Sequence, residues 1–564
     1  MSEERTLFAR KATGLVREFG LLIAIMVPLA NAIGVGWQLR VFQGMGWNPL
    51  PRSQYFLGIP PVTMAFLITG IGCILSIYAF AVVTAAMPRS GGGYIAISRL
   101  LNPLWGVIAT LFQWMGVSVA YGQIAVFVME AVLVFGGLAG IGALGFLGEP
   151  IGLFIFGAVI IAIFSAIASL GARMTGRLLQ IIFWIPVAIL VVVLLLFMIS
   201  SSTVMAEGVQ TQYGASATAY VQQALDTGLA DAAAGNTYWG VVMGAILATY
   251  WAFIGYATTN FIAGEVKESA RSLPRAMIGA TVIITLIYIL VSWLMCGAGA
   301  KAAVVQDFDL VGATAYMNFG GGSFGDLATI GPWMPVFAHM QGVGMGLGGL
   351  VGWLTLIFAV LWAANDIPPF ILACSRMLFA MAFDRVLPEK MADVNERWHS
   401  PVNAVIATSV VALLGAAAES GLFSEGGIWL GETWKSFING FGLAGSNLWD
   451  AIFYASFAMA AFVFPMTKPE LFERAPFRAS KTVVQVIGGL GALANLFFLY
   501  IFIVNPNAYD LPGMLREFTF DKFAVWLATI IIAAVAIYFY FSQKRKAKVT
   551  GVDYSTIFAE IPPE

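Results

Sequence analysis

One acidic residue lies inside a long apolar stretch of the sequence, where a charge is costly and therefore a candidate for function. Asp366 occurs in the run Asn365-Asp366-Ile367-Pro368-Pro369-Phe370, and it is the only acid that the apolar pattern places near the middle of such a stretch. A carboxylate held away from water can carry a proton, ligate a sodium ion or meet a substrate amine. Asp366 and Phe370 are four residues apart and are expected to share a helix face, unless the prolines skew the helix. The alternative is a structural carboxylate at a proline break.

Two other apolar stretches are interrupted by glycine. The first contains Asn31-Ala32-Ile33-Gly34-Val35-Gly36, and the sixth contains Trp251-Ala252-Phe253-Ile254-Gly255-Tyr256. Glycine is a poor helix former and lets the backbone unwind, which frees backbone groups for a ligand. An unwound first stretch offers N–H groups to a carboxylate, and an unwound sixth stretch offers carbonyls to an ammonium group. The alternative is that these glycines only allow close helix packing.

The composition indicates which kind of element carries these residues. The chain has 564 residues, of which 60% are hydrophobic and 10% charged, and its mean hydropathy is +0.86. A soluble domain is about half apolar and a quarter charged, so the sequence predicts an integral membrane protein in contact with a lipid bilayer. The net charge of −1 indicates no nucleic-acid partner, and the oligomeric state stays open. The three cysteines have neither disulfide nor metal-ligand spacing, and no metal or cofactor is expected.

Twelve apolar segments are each near the ~20 residues that cross a bilayer as a helix. Helix is the expected form because lipid cannot satisfy free backbone groups. The segments are 19–42, 61–87, 103–135, 150–170, 176–200, 238–264, 276–298, 345–382, 401–418, 447–466, 482–504 and 522–542. The sequence therefore predicts an all-α integral membrane fold with 12 transmembrane helices.

The basic residues predict the orientation of these helices. An even number of spans places both termini on one side, and all but six of the 29 Lys and Arg residues fall in the termini and in the loops of that side. The six on the opposite side are Arg40, Arg52, Lys301, Lys435, Arg516 and Lys522. The positive-inside rule then predicts a multi-pass cell-membrane protein with both termini in the cytosol. The polar stretches 201–237 and 299–344 are expected outside.

Four loop segments on the predicted cytosolic side carry recognisable motifs. They are Pro88 to Tyr94, similar to P-x-x-G-G-x-Y; Glu265 to Arg275, similar to E-V-K-x-x-x-R-x-x-P-R; Ser375 to Pro388, similar to S-R-x-L-x-A-M-A-x-D-x-x-L-P; and Lys468 to Arg474, similar to a basic R-P-E-L stretch. In this order they resemble the loop motifs of the amino acid–polyamine–organocation (APC) superfamily of permeases. The glycine run could be misread as a phosphate cradle, but it follows no β-strand.

The resemblance implies a LeuT-type fold, with a 5+5 inverted repeat followed by two C-terminal helices. Helices 1, 2, 6 and 7 would move as a bundle against a scaffold of helices 3, 4, 8 and 9. The implied divisions are a cytosolic N-terminus at 1–18, the first repeat at 19–200, an extracellular loop at 201–237, the second repeat at 238–466, the last two helices at 467–542 and a cytosolic C-terminus at 543–564.

The resemblance also implies where a substrate binds. Residues of the first span would bind its carboxylate, those of the sixth span its amine, and aromatic side chains would form walls that also suit a cation. The implied substrate-binding residues are Ile33, Gly34, Val35, Gly36, Gln113, Tyr121, Trp251, Phe253, Ile254, Gly255, Tyr256 and Phe370. For Gln113, Tyr121 and Trp251 the alternative is ordinary packing or a local hydrogen bond.

The chain departs from the family at the residues that usually couple transport to an ion. The family's glutamate after the break in the sixth span is Ala257 here, and its lysine in the fifth span falls in the run 182–186, which contains no lysine. Asp366 is therefore the predicted coupling residue, and the coupling ion would be H⁺ or Na⁺.

Three classes of function compete at this point. A secondary transporter of amino acids or related amines fits the broken helices and the loop motifs. An exchanger or facilitator without ion coupling is the alternative within this class. A membrane enzyme would need a nucleophile, a metal or an acid–base cluster at the bilayer surface, and a channel would need a continuous polar pore; the sequence suggests neither.

Overall fold

The computed structural model of the protein describes residues 7–9, 12–142, 145–477, 479–550 and 553–563. The predicted terminal segments 1–18 and 543–564 therefore lie partly outside the described residues. The apolar segments form the long helices α1 Leu21–Ala32, α2 Val41–Trp47, α3 Pro61–Ala86, α4 Pro103–Leu138, α5 Pro150–Ser169, α6 Ala172–Ile199, α7 Tyr238–Phe253, α8 Ser269–Ala302, α9 Gly348–Phe383, α10 Val402–Glu419, α11 Gly445–Thr467, α12 Lys481–Val504 and α13 Phe520–Thr550.

Eleven helices among the described residues are long and apolar enough to cross a membrane, if α1 and α2 are counted as one. The sixth predicted span is the exception, because α7 has only 16 residues before the chain unwinds. The all-α, multi-pass character is confirmed. The count of twelve crossing helices and the inverted repeat stay predictions.

Helix α9 runs without interruption through two adjacent prolines. It has 36 residues and contains both Pro368 and Pro369. Proline removes a backbone donor and usually kinks or ends a helix, so a break at this position was a reasonable expectation. The surrounding helices instead hold α9 in one piece, since every residue from Ala363 to Phe383 is buried.

The helices pack in groups that place α1 and α7 at the centre. Helix α3 packs against α7 and α8, and α4 packs against α9, α10 and α11. Helix α1 lies between the two groups, in contact with α8 on one side and α9 on the other. The break at the end of α1 is thereby brought beside the end of α7 and the middle of α9.

Both ends of the chain lie at the same end of the helix bundle, which we call the terminal face. The N–H of Phe19 donates to the carbonyl of Glu265 at 3.0 Å. The carbonyl of Pro562 accepts from Arg89 Nε at 2.6 Å. The short helices of this face are Gly93–Leu100, Thr258–Phe261, Ala263–Glu265, Glu389–Ala392, Pro469–Glu473 and Tyr554–Ala559.

The opposite end of the bundle carries most of the remaining short elements. Its two polar stretches are largely helical, and they include one antiparallel pair of strands, Val304–Val305 and Phe308–Asp309. The short helices are Arg52–Gln54, Phe56–Gly58, Gly145–Gly148, Ser202–Tyr213, Ala217–Asp226, Leu229–Ala233, Leu310–Phe319, Met334–Gly344, Glu432–Asn439 and Leu511–Arg516. Two π-helical turns, Gly36–Arg40 and Gly440–Ala444, lead into α2 and α11.

Candidate functional site

The first element of the candidate site is the break between α1 and α2. Helix α1 ends at Ala32, residues 33–35 are not helical, and the π-helical turn Gly36–Arg40 follows. The carbonyl of Gly34 accepts a hydrogen bond from Gln38 Nε2 at 2.7 Å. The predicted unwinding of the first span is therefore present, and it falls at the predicted glycines.

The second element is the unwound end of α7. The helix ends at Phe253, Ile254 has extended backbone angles (φ −53°, ψ 126°), and Gly255 has φ +103°. A Cβ at Gly255 would lie 2.5 Å from Cγ of Asn31. The left-handed backbone and this close approach both require glycine.

Two residues that the sequence analysis did not single out join the breaks. The Tyr288 hydroxyl, from α8, is within hydrogen-bonding distance of the Ala252 carbonyl (2.7 Å) and of the Ala32 carbonyl. The Thr258 hydroxyl donates to Oδ1 of Asn31. Their only signal in the sequence is a polar side chain in an apolar segment, which many buried residues share.

Between the two breaks lies a small closed cavity of about 10 Å³. Typical ligand pockets have about 300–1,000 Å³, so this cavity must widen before it can hold even a compact solute. It is lined by Asn31, Ala32, Gly36, Ala120, Ile124, Trp251, Ala252, Ile254, Asp366 and Phe370. Asp366 and Phe370 line it together, as their four-residue spacing predicts.

Asp366 occupies the centre of this arrangement. Its side chain is 3% exposed, and it lies so close to Gly34 that a Cβ there would be 1.7 Å from Oδ2. The backbone N–H of Val35 lies near the carboxylate. Oδ1 is buried and has no partner among the described residues. Asn31 Nδ2 donates to the main-chain carbonyl of Asp366 at 3.3 Å, which ties α1 to α9.

Four of the predicted site residues point elsewhere. The Phe253 ring packs on Tyr288 with ring centroids 5.1 Å apart, and the Tyr256 ring lies 5.1 Å from that of Tyr454. Tyr121 donates from its hydroxyl to the carbonyl of Ile161 at 3.1 Å, on the side of α5. Gln113 belongs to a separate polar cluster. None of these four side chains lines the cavity.

That cluster contains a second buried acid. Asp450, at 2% exposure, accepts from Gln113 Nε2 at 2.7 Å and from the Tyr250 hydroxyl at 2.8 Å. Asp366 is therefore not the only buried acid in the apolar helices, and its place near the bilayer centre stays a prediction. Asp450 lies near the predicted outer end of its span, and only long-range contacts with α4 and α7 show that it is enclosed.

Trp251 lines both the cavity and a larger vestibule of about 240 Å³. The vestibule opens away from the terminal face, since its lining includes Trp47 and Glu419 at the far ends of α2 and α10. Arg40 lies 5.6 Å above the Trp251 ring and donates to both carboxylate oxygens of Glu419 at 2.9 Å. Glu130 is close to both charges of this pair.

Two buried ion pairs lie on the side of the terminal face. Arg376 donates to both oxygens of Glu265 at 2.7 and 2.8 Å, and both side chains are 0% exposed. Arg99 donates to both oxygens of Asp384, one at 2.8 Å. Three of these four residues belong to the loop motifs, which therefore meet one another across the terminal face.

Comparison with known proteins agrees with this architecture. Residues 52–536 match the family described as amino acid permease. An uncharacterised transporter of Mycobacterium tuberculosis is 26% identical over 72% of this chain and 74% of its own length. A serine/threonine exchanger of Bacillus subtilis is 22% identical over 71% and 76%. A methylthioribose transporter of the same organism is 24% identical over 86% and 87%.

Proposed function

The chain belongs to the amino acid permease family, and from that membership we propose that it is a secondary transporter of a small solute that carries an ammonium group. The family and its relatives are multi-pass membrane transporters of small molecules and not enzymes. The proposed substrates are amino acids or related amines. The proposed location is the cell membrane, with the terminal face in the cytosol.

The observation that carries the proposal is the closed cavity between two helix breaks. Carbonyls at the end of α7 and the carboxylate of Asp366 offer acceptors to an ammonium group, and Trp251 and Phe370 add aromatic surface. Breaks of this kind at the centre of a bundle are how such transporters build a site without leaving backbone groups unpaired in lipid.

The proposed alternating-access cycle is supported by the difference between the two sides of the cavity. On the vestibule side, Trp251 is the one residue that lines both the cavity and the vestibule. On the terminal face the buried pairs of Glu265 and Asp384 must separate before a solute can leave. We assign this conformation to the outward-facing half of the cycle, with the inner barrier closed.

Asp366 is the proposed coupling residue, and the coupling ion is H⁺ or Na⁺. Its support is the position of the carboxylate at the break of the first span, together with Ala257 at the family's usual acidic position. An exchanger or facilitator is the alternative, and it predicts no response to either ion gradient.

The test combines binding with transport. The melting temperature of the purified protein should rise with amino acids or amines, and uptake into reconstituted vesicles should saturate and show counterflow. Imposed H⁺ and Na⁺ gradients in the same vesicles identify the coupling ion. Stabilisation by a sugar or nucleobase and by no amine would contradict the proposed substrate class, and uptake that does not saturate would indicate a channel.

A further inference from the structure

The charges around the closed cavity are unbalanced. All the residues that line it are described, and they include one acid, Asp366, and no lysine, arginine or histidine. In a site of low dielectric, an uncompensated negative charge strongly favours a cationic ligand and disfavours an anionic one. The charge of the site therefore discriminates between solutes with and without a carboxylate.

The place where a substrate carboxylate would bind is already taken. The N–H groups freed at the break of the first span form the expected anion position, and the Asp366 carboxylate occupies it. It lies near the Val35 N–H and against Gly34, where a Cβ would be only 1.7 Å from Oδ2. A second carboxylate at this position would meet the first at close range, and like charges repel.

One oxygen of Asp366 still needs a donor. Oδ1 is buried and unpartnered among the described residues, although the other polar groups around it are engaged. A buried acceptor without a partner is costly. Because the side chain lines the cavity, an ammonium group of a bound solute can supply the missing hydrogen bond and the opposite charge.

The rest of the path also suits a cation. Trp251 and Phe370 present aromatic side chains to the cavity, and ring faces attract cations. In the vestibule the single base, Arg40, is paired with Glu419, and Glu130 adds a second acid close by. No unpaired base among the lining residues of the vestibule or the cavity is available to receive a carboxylate.

We propose that the solute is a compact amine that lacks a carboxylate, and that Asp366 is its counter-ion. This inference rests on the proposed function and narrows it, since the carboxylate of Asp366 takes the place of the α-carboxylate of an amino acid. The carbonyl of Ile254 and the side chains of Trp251 and Phe370 then enclose the ammonium group and the first carbons.

The experiment compares pairs of solutes that differ only by the carboxylate. Ethanolamine is measured against serine, isobutylamine against valine, and putrescine against ornithine, by calorimetry on the purified protein. In each pair that binds, the amine should have a dissociation constant at least tenfold lower. An amino acid that binds as tightly as its amine overturns this inference alone. If no amine binds while a sugar or nucleobase does, the proposed function fails as well.

Substitution of the counter-ion gives the second measurement. Asp366→Asn should weaken amine binding at least tenfold and improve amino acid binding, because the N–H groups of the break are then free of a charged partner. Asp366→Glu keeps the charge and should keep the preference for amines even if both affinities fall. Asp450→Asn is the matched control, since it removes a buried acid outside the cavity. It should leave the ratio of amine affinity to amino acid affinity unchanged. If Asp366→Asn does not change this ratio of affinities, Asp366 has a structural role and is not the counter-ion.

Discussion

Glycine at the two breaks is fixed by what surrounds the missing side chain. A Cβ at Gly34 would lie inside the carboxylate of Asp366, and a Cβ at Gly255 would collide with Asn31. Gly255 also has φ +103°, which a β-branched residue adopts only under strain. Both positions hold backbone next to the cavity, so a larger side chain there changes the site itself and not the outer surface of the helix.

Gly34→Val and Gly255→Val should therefore abolish substrate binding while the protein still inserts in the membrane. Each valine displaces a side chain that lines the cavity, Asp366 in one case and Asn31 in the other. Gly279→Val is the control, because a Cβ there meets no atom within 4 Å and α8 should accept it. The measurement is calorimetric affinity on protein that elutes as a single species. Normal affinity in both break variants would remove the proposed site.

The sequence could predict the residues of the site that carry a local signal. Glycines within an apolar run mark the breaks, and a lone carboxylate within another run marks Asp366. Tyr288 carries no such signal, and Asp450 lies near the predicted end of its apolar segment, where an acid is expected at the membrane surface. Tyr288 matters because α8 crosses both breaks, and Asp450 because Gln113 and Tyr250 reach it from two other helices. Only the packing of distant segments reveals such contacts.

Among the elements, the loop motifs are explained by their contacts with one another. The glycine run after α3 faces three different neighbours: a Cβ at Gly91 would lie 2.3 Å from Ala380, one at Gly92 would meet Asn260, and one at Gly93 would meet the Phe453 ring. The N–H of Gly91 also donates to the carbonyl of Phe261 at 2.8 Å. Close packing, and not phosphate binding, accounts for this run.

The sequence predicts which segments form helices, but it does not predict where each helix begins and ends. Eleven of the twelve apolar segments correspond to long apolar helices, because the length of an apolar run determines whether it can cross a bilayer. The starts of α6 and α8 lie several residues before the predicted ones, at Ala172 and Ser269. These extensions are polar turns that pack against other loops, and hydropathy does not detect them. The repeat symmetry depends on tertiary arrangement and stays a prediction.

The buried pair of Arg376 and Glu265 is expected to hold the terminal face closed. Glu265→Gln leaves the guanidinium buried without a counter-charge, which should destabilise the closed terminal face by about 3–5 kcal/mol, the range for breaking a buried pair. The apparent melting temperature in detergent should fall clearly. Glu432→Gln is the control, since Glu432 is 68% exposed in its pair with Lys435, and exposed pairs contribute about 0–1 kcal/mol. Equal melting temperatures for the two variants would show that the buried pair does not hold the face closed.

At the scale of the whole molecule, the two ends of the bundle differ in charge and in closure. The terminal face gathers the basic loops, both chain ends and the buried ion pairs, whereas the opposite end opens into the vestibule. The positive-inside rule predicts that the basic end lies in the cytosol. If that orientation is correct, the vestibule faces outward and a solute taken up by the cell meets Trp251 before Asp366.

Cysteine labelling can test this orientation with little background. The three native cysteines, Cys73, Cys296 and Cys374, are buried at 2%, 4% and 0% exposure, so the unmodified protein should react weakly with a charged maleimide. Thr218 and Glu396 are exposed, the first in the helix Ala217–Asp226 and the second in the loop after α9 on the terminal face. Neither is basic, so replacing them leaves unchanged the distribution of Lys and Arg on which the predicted orientation rests.

In intact cells, Thr218→Cys should be labelled at once by a membrane-impermeant maleimide, and Glu396→Cys only after the membrane is permeabilised. The unmodified protein is the control for both, and detergent-solubilised protein confirms that each new thiol is reactive. The opposite pattern would place the terminal face outside and the vestibule in the cytosol. It would also turn the present conformation into the inward-facing half of the cycle, because the open vestibule and the closed ion pairs exchange sides with the membrane.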